Sequence, residues 1–304
     1  MISLRYHVVT IVAIFLALAI GTLAGAAFVQ PALQEELQNQ TDRLQRNNDG
    51  LRAEVDDLQA QMAGLGDFVD AVAPSLTRNR LSGTPVVLVT QTGVEDGVLS
   101  QARAALANAG ASVLTTVSAT DQLVSDDPAT QEQLATILGA PTASAEELPS
   151  LAAQALAQGL SPSTSVEGGT VLDELLSAGF LAPIGSGPSQ STLEEVGRPG
   201  QVVVVLSGGR GDEPTLAPGE FAVPLVARLA DLNVPVAAGE SLLSDYPFVS
   251  LLRADGTDGT VTVDDLDRTM GGAALVLGLE DLITTGDGGA YGVKDGADPL
   301  PPLP

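Results

Sequence analysis

The chain has 304 residues and a formal net charge of −25, enough length for one or two domains with a sizeable core. With 38 acidic residues against 13 basic ones, it lacks the positive footprint that nucleic acid requires. It has no cysteine, and its single histidine is His7; disulfides, thiol catalysis, Fe–S clusters and zinc fingers are excluded.

The first element is a membrane segment. Val8 to Val29 carries no charge and, as a helix, spans roughly 33 Å, close to a hydrocarbon core. Two readings fit it. Arg5 as a positive flank and the small residues Ala24, Gly25 and Ala26 suit a cleaved signal peptide. The length of the run exceeds a usual signal core and favours an uncleaved anchor. Arg5 precedes the span and no basic residue follows before Arg43, so the N-terminus is expected in the cytoplasm and the body outside.

A leucine repeat follows. Leu37, Leu44, Leu51, Leu58 and Leu65 recur every seventh residue and Val72 continues the series. Thr41, Asn48, Val55, Met62 and Val69 fall four residues after each of the five leucines. With the leucines at d and these residues at a, the pattern is that of a two-stranded coiled coil. Pro31 suits a first helical turn and Pro74 is expected to stop the helix. The alternative is one amphipathic helix lying on its own domain, which usually has a broader apolar stripe. Two copies tethered at the same end would pair in parallel, giving a stalk of about 64 Å.

From Gly83 short apolar runs alternate with helical patterns. Pro85–Thr90 (PVVLVT), Ser112–Val117, Gln201–Leu206 (QVVVVL) and Val234–Gly239 read as buried strands of a parallel sheet. Thr260–Asp267 adds a strand leading into a helix near Thr269–Leu282. The organisation is therefore a membrane anchor over 1–30 and a coiled-coil stalk over 31–74. An extracytoplasmic α/β domain over 83–288 follows, with a helical insertion at about 128–180, then an extended proline-rich tail over 289–304. The fold class is α/β: an N-terminal transmembrane helix, a parallel dimeric coiled coil, and a domain with a mainly parallel sheet.

Three loops follow strand ends, where open parallel sheets bind ligands. They place Thr92 and Gly93, then Ser207, Gly208, Gly209 and Arg210, then Gly239 and Glu240 as candidate pocket residues. The alternative is that their glycines only turn the chain, and the lack of a full phosphate fingerprint favours it. Asp255, Asp258, Asp264 and Asp265 lack the spacing of a calcium loop and read as turn residues. No catalytic residue is assigned, and the metal ligands remain open.

The opening MISLRYHVVTIVAIFLALAIGTLAG resembles the N-terminus of the actinobacterial MctB family of copper transporters, and GGAYGVKDGADPLPP (Gly288–Pro302) resembles that family's C-terminal close. The resemblance implies copper efflux or homeostasis at the cell envelope, with copper as the implied ion. Some relatives are associated with envelope assembly and division beside a membrane partner. The residues themselves offer few soft ligands, only Met1, Met62 and Met270. One expectation is thus a membrane-anchored envelope protein of the copper-transport family. The other is a non-catalytic dimeric scaffold that positions a second membrane or cell-wall protein. The expected partners are the bilayer and a second copy of the chain, without nucleic acid.

Overall fold

A computed structural model describes residues 4–162, 165–185, 194–256 and 259–302, apart from the side chains of 4–5, 26–38, 165–170 and Asp255. The chain divides into two units, Met1–Asp67 and Phe68–Pro304.

The first unit is helical throughout its described length. It belongs to α1 (Leu4–Thr77). Tyr6–Gly25 is long and apolar enough to cross a membrane, with a mean hydropathy of 2.5. Its threonines fit that setting. Thr10 Oγ1 donates to the Tyr6 carbonyl at 2.8 Å and Thr22 Oγ1 to that of Leu18 at 3.0 Å, so neither hydroxyl needs water. Further on, Leu44, Leu51, Val55, Leu58, Met62 and Leu65 are all at least half exposed, from 50% at Val55 to 71% at Leu44. The side chain of Leu37 lies outside the described residues.

The prolines correct one expectation. Pro74 does not stop the helix, which runs to Thr77, and Pro31 lies inside it rather than in its first turn. A helical proline removes only one backbone donor, and neighbouring groups can re-satisfy the carbonyl side. Asn108 caps the helix end just beyond: its Nδ2 donates to the Pro74 carbonyl, one of the last four of the helix, at 2.9 Å and to Thr77 Oγ1 at 2.7 Å. Asn79, with φ at 60°, then ends the helix.

The second unit is built on a seven-stranded sheet in the order β3-β2-β1-β4-β5-β6-β7. The strands are β1 (Pro85–Gln91), β2 (Ser112–Ala119), β3 (Leu181–Pro183), β4 (Val202–Leu206), β5 (Val236–Gly239), β6 (Thr260–Val263) and β7 (Gly289–Tyr291). All pairings are parallel except β2 with β3. The helices are α2 (Asp96–Asn108), α3 (Pro128–Ile137), α4 (Leu148–Gly159), α5 (Ser165–Ser177), α6 (Ala222–Asp231), α7 (Val249–Asp255) and α8 (Thr269–Thr285). The expected tail therefore contributes the seventh strand and is not wholly outside the sheet.

Strand periodicity explains the two cores. Successive side chains point to opposite faces, so a strand covered on both sides must be apolar at every position. Val87, Val89, Val203 and Val205 face α4, α5 and α6; Val86, Leu88, Val202 and Val204 face α2 and α8. All of β4 is at most 1% exposed. Each such valine contributes on the order of 1.5–3 kcal/mol of burial, and a charge there would break the sheet's centre.

Candidate functional site

The chain reverses its direction of growth across the sheet between β1 and β4, which makes their C-terminal ends a topological switch point. Two of the three candidate loops flank it, and the structure brings them together. Ser207 Oγ donates to Gln91 Oε1 at 2.7 Å, and Gln91 Nε2 donates to the Leu216 carbonyl at 2.8 Å. Thr92 Oγ1 donates to the Ala119 carbonyl at 3.2 Å. A Cβ on Gly209 would stand 2.9 Å from the Gly93 carbonyl oxygen. Arg210 reaches Glu95 at 3.8 Å. The loop after β5 joins them: Gly208 and Gly209 pack on Ser244, whose Oγ accepts from Gly209 N at 3.1 Å, while Asp245 N donates to the Gly209 carbonyl at 2.8 Å. The chain's own groups thus bridge the loops around the crevice, while Thr92, Gly93 and Arg210 stay exposed.

The charged centre lies one strand further along, at the ends of β5 and β6. Glu240 directly follows Gly239 and is fully buried. Its Oε2 accepts from the backbone N–H groups of Phe248 at 2.8 Å and Val249 at 3.2 Å, and its Oε1 meets Lys294 Nζ at 2.7 Å. Asp264, also fully buried, pairs with Arg253 Nη1 at 2.6 Å and accepts from Val293 N at 2.8 Å. Arg253 is held in turn by Thr262 Oγ1 at 3.0 Å and the Tyr291 carbonyl at 2.9 Å. Two carboxylates, a guanidinium and the chain's only lysine thus neutralise each other, which a low-dielectric interior requires.

Asp264 and Asp265, expected as turn residues, lie where the chain bends just past β6 and are buried there. β6 is buried on both faces, so the residues just past its end stay inside. Asp258 and the side chain of Asp255 lie outside the described residues. Asp265 differs from Asp264 in having no compensating cation bond. It is 1% exposed and its Oδ1 has no hydrogen-bond partner. Burial pushes its carboxyl up to about 6, the Asp264 and Asp267 charges add to the rise, and Arg268 opposes it.

Sequence reasoning named Glu240 as a pocket-loop residue and did not name Arg253 or Lys294, the latter 54 residues from its partner. The one available signal was composition: a single lysine, placed in the GAYGVKDG stretch. Among the described residues no three or more His, Asp or Glu side chains are grouped to hold a metal ion.

The sequence profile of a family described as "Copper transport outer membrane protein, MctB" matches residues 1–302. Proteins named Copper transporter MctB from Mycobacterium bovis and Mycobacterium tuberculosis are 28% identical to this chain over 319 residues, covering 98% of each. That of Mycobacterium leprae is 27% identical over 316 residues, again covering 98% of each. By a match that runs from the apolar opening through the Lys294 segment, this chain belongs to the MctB family.

Proposed function

We propose that this protein serves copper homeostasis at the cell envelope as a membrane-tethered, self-pairing scaffold that positions a partner, and that it does not itself conduct the ion. Tyr6–Gly25 supplies the anchor, with the N-terminus cytoplasmic and the α/β unit outside. The carrying observation is the stripe from Leu44 to Leu65, apolar at heptad spacing and at least half exposed.

Charge placement favours a second copy as its cover. The flanking e and g positions hold Gln45, Asn47, Arg52, Glu54, Gln59 and Gln61, mostly neutral amides, while Asp42, Asp49 and Asp56 fall at the outward b position. A chain of net charge −25 can pair with itself only if like charges stay clear of the seam.

The relatives' name supports a role in copper transport, and the two readings differ in which protein touches the ion. The donor chemistry favours the scaffold. Glu240 and Asp264 are already bonded to cations and amides, and Met62 sits in the stripe. The open, mainly parallel sheet also differs from the closed antiparallel barrel of an outer-membrane channel.

Light scattering on the full chain in detergent is expected to give a dimer. Leu51→Asp with Leu58→Asp should give a monomer, and Asn48→Leu should admit higher assemblies. A wild-type monomer at all concentrations would refute self-pairing. Competition with a copper(I) chelator should show binding no tighter than about micromolar; a much tighter stoichiometric site would overturn the scaffold reading.

A further inference from the structure

We propose that Asp265 makes the turn between β6 and α8 a proton-operated latch on the loop that follows β5. Charged, the carboxylate favours an open turn and a released loop; protonated, it lets both close. The device lies wholly on the α/β unit and is independent of the pairing proposed for α1.

The place Asp265 occupies gives its charge no support. The side chain is buried and its Oδ1 has no hydrogen-bond partner. A Cβ on Gly271 of α8 would stand 2.7 Å from that oxygen, so the helix closes directly over it. Asp264, Asp267 and Arg268 are the charges that act on it, and burial with two like charges outweighs the one guanidinium. The neighbouring elements bring no counter-charge. The first turn of α8, Thr269 to Gly272, is uncharged, and Gln101 of α2, which meets Gly272, is neutral. Glu240 of the loop after β5 is bonded to Lys294, and Asp264 to Arg253. A buried carboxylate so placed is relieved either by a proton or by a turn that lifts it into water.

The turn is lightly held. It closes on one bond of its own, from Arg268 N to the Asp265 carbonyl at 2.9 Å. Arg268 is the N-cap of α8 and makes no side-chain capping bond, and no acidic residue stands in that helix's first turn.

The loop after β5 hangs on the same turn. Leu266 N donates to the Glu240 carbonyl at 3.0 Å, and Leu242 N donates to Asp267 Oδ1 at 2.7 Å, so the two residues after Asp265 each hold the loop. Further along, Ser244 and Asp245 join that loop to Gly209 at the switch point. Lifting the turn therefore loosens one of the three loops around the crevice.

In the closed turn the carboxyl is held at about 6, and in an open, hydrated turn it returns to its ordinary 3.8. The closed form binds the proton more tightly, so closure strengthens as pH falls through 6. From pH 7.5 to pH 5 the open fraction should fall about tenfold.

Hydrogen exchange followed by mass spectrometry on the full chain in detergent tests this, with each rate divided by the intrinsic chemical rate at that pH. Peptides covering 240–246 and 264–272 should exchange faster than β4, and should slow about tenfold between pH 7.5 and pH 5. In Asp265→Asn the same peptides should change by less than about twofold. A turn that exchanges no faster than β4 opens only with the whole unit and overturns the latch. So does a pH response that is absent in wild type or equal in Asp265→Asn. A response confined to 264–272 overturns it too, because the loop then moves on its own.

Discussion

Asp265→Asn isolates the cost of a carboxylate kept inside the fold. In the unfolded chain the group has its ordinary value of 3.8, and in the folded chain it is held at about 6. The folded state therefore holds its proton more tightly. At neutral pH the group is charged in both states and opposes folding; as pH falls through 6 that opposition is shed, and below 3.8 it is gone. The full swing corresponds to roughly 3 kcal/mol, most of it between pH 6 and pH 4. The asparagine variant removes the titration. Urea unfolding of both proteins, followed by circular dichroism from pH 7.5 to pH 4, gives the difference in stability at each pH. Asp265→Asn should be the more stable form, relative to wild type, at neutral pH than at pH 4, by roughly 2–3 kcal/mol. The orphaned Oδ1 shifts the whole difference curve by a constant but does not change its slope. A difference that stays flat across this range would refute the assignment of a buried, uncompensated charge.

Lys294→Met should destabilise the α/β unit by about 3 kcal/mol, since it leaves Glu240 charged and buried; adding Glu240→Gln should return part of that loss, measured by the same urea titration. A Lys294→Met protein within about 0.5 kcal/mol of wild type would remove the ion pair from the account. Gly271→Ala should cost about 1–3 kcal/mol, because its new Cβ would meet the Asp265 carbonyl oxygen. Gly64→Ala, in open space on α1, should instead stabilise that helix by up to about 1 kcal/mol, read from its thermal melting.

The central strands were legible because continuous runs such as VVLV and VVVVL satisfy only a sheet covered on both faces. β3 and β7, of three residues each, and α7, of seven, are too short to show a period. The switch-point loops were found from their place after strands, yet their closure was not, because it depends on Gln91 meeting Ser207 across 116 positions. The same holds at the charged centre. Glu240 and Lys294 are 54 residues apart, and only the parallel alignment of β5, β6 and β7 brings their segments together. Asp264 looked like a turn residue because the neighbouring Asp-Gly steps imitate surface chemistry, whereas its burial is set by β6 lying between two other strands.

Lys294 has a practical corollary for chemical probing. Every other basic side chain except His7 is an arginine, so amine-directed acylating and cross-linking reagents find one lysine, and its ammonium already lies 2.7 Å from a buried carboxylate. Its rate of acylation becomes a clock for how often the ammonium leaves Glu240, with no competing lysine signal to subtract. A reagent that modifies it quickly reports a protein in which the Lys294–Glu240 pair is open. One that modifies it slowly reports the closed form, and amine cross-linking will be nearly blind to whatever partner stands beside it.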